Sequence, residues 1–263
     1  MPKPKPPAQD PDTPALDLDL SKLITPDVEG CLTPSFLKSP HTQKLGYVMF
    51  LAAILNRMNS RVAVTDDPEE IRVSGYYLHA HVYAPTAIDS FLIGPSGVGK
   101  SPFIDYYYRS DESSDESKDR RTSPTFECYP GAIAKLRNSK RWVAYHQDLS
   151  LFLYMGFEGR REHSDFFLAP TLDIKRLVVD VANLAEPGYW ASTTHMKAFK
   201  SSPIEKQLTI AKVAAVVQLV QRHLFKIEAN PSLMYIEPFA IARAISIIDY
   251  SDRVLAYSLA DRA

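Results

Sequence analysis

Lys100 and Ser101 close an eight-residue run, Gly94-Pro95-Ser96-Gly97-Val98-Gly99-Lys100-Ser101, whose spacing follows G-x-x-x-x-G-K-[ST]. This is the pattern of a phosphate-binding loop. Its glycines let backbone N–H groups turn inward toward phosphate oxygens with no Cβ in the way. Lys100 would lie along the β- and γ-phosphates of a nucleotide, and the Ser101 hydroxyl would ligate Mg²⁺. All eight residues are candidate nucleotide-binding residues, with ATP and Mg²⁺ as the implied ligands and Lys100 also in a catalytic role.

Such a loop must stand between a strand and a helix N-terminus. Ile88-Asp89-Ser90-Phe91-Leu92-Ile93 reads as a short buried strand running into it, and Ser101 to Tyr108 as the helix leaving it. Pro102 is tolerated in a first turn, where its missing N–H has no intrahelical partner, although it removes one donor from the phosphate site. Hydrolysis needs an acid as well, at the end of a neighbouring strand. Trp142-Val143-Ala144-Tyr145 reads as a buried strand that leads to Gln147 and Asp148. Asp148 is the candidate for holding Mg²⁺ or orienting water. Its ordinary reading is a turn or N-cap aspartate before Leu149–Leu153. Asp180, in Leu177-Val178-Val179-Asp180-Val181, is the weaker alternative; periodicity does not separate strand from helix there.

The chain has 263 residues, 45% hydrophobic and 23% charged, in the ordinary range for a globular protein. A formal net charge of −1 gives no global attraction to a polyanion, so nucleic-acid binding would need a local basic patch. Cys31 and Cys128 are the only cysteines and suggest no disulfide framework. No signal peptide opens the chain, and the apolar stretch Ala211–Val220 is interrupted by Lys212 and Gln218. The expectation is a soluble, cytoplasmic protein that does not enter a membrane.

Nine of the twenty prolines fall in residues 1–40, which read as a mobile tail. Helical spacing covers His41 to Asn59, followed by strands at Arg61–Val64 and Tyr76–Tyr83. Ser110 to Ser117 reads as a solvated acidic linker and Tyr129–Arg137 as a short helix. Ile204, Leu208, Ala211, Ala215, Leu219 and Leu224 line one helical face, and Ile236–Leu259 forms a second helix beginning near Pro238. The expected fold is α/β: a P-loop NTPase (RecA-like) core with a mostly parallel sheet over 41–200, and a helical subdomain over 201–263.

Other clusters have bland readings beside their functional ones. His79 and His81 share a strand face without a third metal ligand. Lys135, Arg137, Lys140, Arg141 and Trp142 combine basic and aromatic character that single-stranded nucleic acid can use, or form a solvated helix face. Arg160 and Arg161 are loop arginines with the chemistry of an arginine finger. Tyr106-Tyr107-Tyr108 reads as packing around the motif helix.

Four stretches resemble a group of P-loop ATPases that carry a domain of unknown function. These occur in phage, plasmid and mobile-element replication proteins, often beside primase and helicase modules. The stretches are Gly94–Pro102, Thr125–Leu136 (similar to a "T-P-E-A-L-A" helix), Trp142–Leu153 and the C-terminal helix pair. Where that group has Asp-Glu this chain has Gln147-Asp148, so the resemblance supports ATP binding better than turnover. It implies an ATPase of the helicase or primase kind, acting with nucleic acid and as a homo-oligomer. A nucleotide-binding module without turnover and a small-molecule phosphotransferase are the alternatives.

Overall fold

The computed structural model describes residues 12–37, 39–58, 61–64, 71–74, 82–108, 125–128, 150–156, 172–185, 189–192, 203–227 and 233–260. Their helices are α1 (Pro26–Glu29), α2 (Pro40–Arg57), α3 (Lys100–Tyr108), α4 (Ile174–Asn183), α5 (Ile204–Leu224) and α6 (Pro238–Ala260). The strands are β1 (Arg61–Val64), β2 (Ile71–Ser74), β3 (Val82–Pro85), β4 (Asp89–Ile93), β5 (Thr125–Cys128), β6 (Ser150–Tyr154), β7 (Tyr189–Ser192) and β8 (Leu233–Tyr235). The protein is mixed α/β.

The strands form two sheets instead of one mostly parallel sheet. The larger has the order β3-β1-β2-β7-β8, antiparallel except for the parallel β7–β8 pair. The smaller, β5-β4-β6, is wholly parallel. Connection length explains the difference. Val64 to Ile71 is too close in sequence for a crossover helix, so β1 and β2 pair antiparallel, and β3 pairs antiparallel with the other edge of β1. The long connections on either side of β5, the first containing α3, permit parallel pairing with β4.

Leu177–Val181, ambiguous in sequence, belongs to α4. The Asp173 carboxylate caps it by accepting from Lys175 N and Arg176 N. Ile174, Leu177, Val178, Val181 and Ala182 make its buried face, at helical spacing. The resemblance placed Thr125–Cys128 in a helix; it is strand β5.

Of the mobile tail expected over 1–40, the described residues 12–37 are packed instead. Residues 14–20 alternate, with Leu16, Leu18 and Leu20 buried and Asp17 and Asp19 exposed, the signature of an extended segment with one apolar face. Leu23, Ile24, Val28, Leu32 and Leu37 continue into the core, so residues 12–37 form a packed strap. Asp–Leu alternation outweighs proline content here because the apolar face joins the common core, with Lys44 of α2 donating to Leu16 O and Arg253 of α6 to Ala15 O, both at 3.1 Å.

One apolar cluster runs from Leu16 to Leu255 and includes residues of both the 41–200 and 201–263 segments. Helix α6 is joined to β6 by more than apolar contact. Phe152 N donates to Ser251 Oγ (2.8 Å) and Tyr154 N donates to the Tyr250 hydroxyl (3.1 Å). Two side chains thereby satisfy backbone donors on the β6 edge away from β4.

Candidate phosphate-binding site

Strand β4 delivers the loop. Ser90, Phe91, Leu92 and Ile93 are buried, with Phe91 stacked on Phe152 of β6 at 5.3 Å. At its carboxyl end the chain turns through Gly94–Gly99 into α3, as the motif requires. Gly97 and Gly99 have φ of 79° and 97°, a region in which side-chain-bearing residues are strained. Gly94 is needed for another reason. A Cβ there would sit 2.1 Å from Met155 O, because the extension of β6 closes on the loop through Met155 N donating to Ile93 O (2.7 Å).

The rest of the loop divides by exposure. Val98 is buried and anchors the turn, so its contribution to a ligand would come from its backbone. Ser96 and Gly97 face solvent, as does Ser101 in the first turn of α3. Lys100 is buried, and its ammonium donates to Gly94 O (2.8 Å) and Pro95 O (2.6 Å), spanning the loop. The first α-helical bond of α3 runs from Phe103 N to Gly99 O (3.1 Å), so Pro102 lies ahead of the first residue that needs a donor. The loop, the cation and the exposed hydroxyl are thus brought together as the sequence predicts.

The acids are arranged differently. Gln147, Asp148 and Trp142–Tyr145 lie outside the described residues, as do His79, His81, Lys135, Arg137, Lys140, Arg141, Arg160 and Arg161. Among the described residues the loop-side end of β6, a parallel neighbour of β4, carries Tyr154, Met155 and Gly156 and no carboxylate. Asp180 is removed from strand-end chemistry: it is exposed on α4 and paired with Arg176 four residues earlier at 4.0 Å. Glu127, which sequence reasoning missed, stands on β5 opposite Leu92, two residues before Gly94, and is exposed. Its signal was Thr125-Phe126-Glu127-Cys128, a β-branched and aromatic stretch around one acid. His41 was missed as well. Its Nε2 lies 2.9 Å from Tyr154 O, which can only accept, so that nitrogen carries the hydrogen.

The tyrosine run packs, as read from sequence. Tyr106 donates to Cys31 O (2.8 Å), and Tyr107 to Leu32 O and Gly46 O. Burial raises the Tyr106 hydroxyl to about 12 and pushes Tyr107 well above the ordinary tyrosine value, so both stay protonated donors.

No protein-family model and no curated protein matches this chain. The loop's own geometry must therefore carry the functional reading. Among the described residues no group of three or more His, Cys, Asp or Glu side chains is placed to hold a metal, and no helix is long and apolar enough to cross a membrane.

Proposed function

We propose that this chain binds ATP with Mg²⁺ at Gly94–Ser101 on a RecA-like P-loop core. The observation that carries the reading is the loop itself. Two glycines at positive φ sit between a buried parallel strand and a helix N-terminus, with the Lys100 ammonium held on the carbonyls of Gly94 and Pro95 at the start of the loop. Loop amides and Lys100 would neutralise phosphate charge, and the α3 N-terminus adds its partial positive charge. For Mg²⁺ the Ser101 hydroxyl, exposed beside the loop, would be one ligand, and a carboxylate, Glu127 or Asp148, would hold the ion's water. When bound, the ion supplies charge neutralisation between phosphate oxygens. Lys100 has the catalytic role of stabilising phosphate charge, and Asp148 remains the candidate for orienting water.

On the resemblance drawn from sequence, the activity is a replicative, helicase- or primase-associated ATPase that acts with nucleic acid as a cytoplasmic homo-oligomer. A second reading has a specific observation in its favour. Among the described residues the loop-side end of β6, Tyr154 to Gly156, carries no acid, which suits a module that binds nucleotide for assembly or regulation without turnover.

The deciding experiment measures ATP binding and phosphate release together, with and without single-stranded DNA. Mg²⁺-dependent release raised by DNA is the expected result. Tight binding with no release at any DNA concentration leaves the binding module, and absence of nucleotide binding removes both readings. Glu127→Gln tests the acid directly: the gain in nucleotide affinity on adding Mg²⁺ should shrink, whereas an unchanged gain excludes Glu127 from the metal site.

A further inference from the structure

The strap ahead of α2 has no part in the nucleotide reading, yet it reaches the loop. A Cβ at Gly99 would meet Leu37 Cδ2 at 3.3 Å and Phe36 Cε2 at 3.7 Å, so these two side chains rest against the last glycine of the motif. Leu37 is buried and held on both sides: its N–H donates to Pro34 O (2.9 Å), and its carbonyl accepts from Thr42 Oγ1 (3.0 Å). Thr42 in turn belongs to the Ser39 capping box that starts α2. Leu37 is therefore placed by the helix cap, not by the loop it touches.

The same strap underlies the motif helix. Tyr106 and Tyr107 of α3 donate to Cys31 O and Leu32 O, and Tyr107 also to Gly46 O on α2. Gly46 admits the strap closely, since a Cβ there would lie 2.5 Å from Leu32 O. Loop and helix are thus braced at Gly99 and about two turns further along α3. Glycine is the residue with most conformational freedom to lose, so a loop needing positive φ at Gly99 gains from a neighbour that restricts it.

We infer that Phe36 and Leu37 position the phosphate loop, so that docking of residues 31–37 and occupancy of the nucleotide site are coupled. The inference rests on the nucleotide reading of that loop. Coupling free energy is reciprocal: if the strap holds the loop ready for phosphate, bound nucleotide must hold the strap.

The test uses the full chain, Mg²⁺ and ADP, with calorimetric affinity and amide hydrogen exchange. Saturating Mg·ADP should slow exchange across residues 31–37, and Leu37→Ala should weaken affinity about 5–10-fold, the low end of typical coupling. Leu37→Met should restore most of that affinity. Val28→Ala, a truncation of another buried strap residue, should lower stability but leave affinity unchanged. Unchanged exchange at residues 31–37 in protein shown to be saturated would overturn the coupling. So would a Val28→Ala loss of affinity equal to that of Leu37→Ala. The exchange comparison needs only wild-type protein, so it decides the matter even if Leu37→Ala fails to fold. If no ADP or ATP binds at all, the loop reading falls and the coupling with it.

Discussion

Strand β4 has a buried lysine against backbone carbonyls at each end. At its carboxyl end Lys100 donates to Gly94 O and Pro95 O; at its amino end Lys212 reaches from α5 to donate to Ala87 O (3.1 Å). The surroundings differ. Lys100 lies within a glycine turn at a helix N-terminus, next to exposed Ser96, Gly97 and Ser101. Lys212 lies where α5 meets β4, near Asp89, and Asn56 closes the same end by pairing both its amide atoms with Ile88 N and Ile88 O at 2.9 Å. Burial pulls the Lys212 ammonium down to about 8, partly opposed by the Asp89 charge. Burial of a lysine does not make a site. Lys100 has exposed polar groups around it that the proposed nucleotide would meet, whereas Lys212 ties a helix to the chain entering a strand.

The comparison breaks most sharply at Gly94. Gly94→Ala forces a Cβ onto the Met155 carbonyl, and denaturant unfolding should show a loss of about 3 kcal/mol. A near-neutral result would mean that the β6 extension yields and the loop end is not fixed.

Next in size, Lys100→Ala should lower ATP affinity ~100-fold by removing a charge-assisted phosphate contact, while Lys212→Ala should leave affinity unchanged. Equal effects from the two in a binding titration would erase the distinction between the ends of β4.

Lys212 should instead reveal itself through pH. Its folded value is about 8 against an ordinary 10.5, so between these values the unfolded state holds the extra proton. The penalty for burying Lys212 is complete below pH 8 and is relieved as pH rises. Lys212 by itself should add roughly 2 kcal/mol of stability from pH 8 to 10, read in denaturant titrations as the difference between wild type and Lys212→Met. In the wild type the buried tyrosines increasingly oppose this rise as pH approaches 10. Burial raises Tyr47, Tyr106, Tyr107 and Tyr250, so the unfolded chain then loses tyrosine protons that the folded chain keeps. Lys212→Met should remove the climb and stabilise the protein at pH 7.

The smallest effect belongs to a lysine outside the comparison. Lys206 on α5 pairs with half-exposed Asp252 on α6, and Asp252→Asn should change stability by about 0.5 kcal/mol or less. A larger loss would show that charge, not only apolar contact, holds the two C-terminal helices together.

Much of the loop was legible because its requirements are short-range. Glycine spacing, an apolar run before it and a helix-compatible run after it all lie within Ile88–Tyr108, and β4 and α3 formed there as read. The helices α2, α5 and α6 were legible for the same reason, through apolar periodicity. The strap was misread because proline content was weighed above the Leu16-Asp17-Leu18-Asp19-Leu20 alternation, whose meaning depends on a distant surface to cover it. Glu127 was missed as a candidate because β5 is only four residues long, and only register sets it opposite Leu92.

By itself, then, the sequence determined a strand–loop–helix unit with the chemistry to cradle phosphate. Which strands flank that unit, that Glu127 lies opposite Leu92, that Lys212 is a dock and that Leu37 rests against Gly99 were decided only by tertiary structure. These depend on pairing and packing between residues far apart in the chain, where local spacing carries no information and shared burial does.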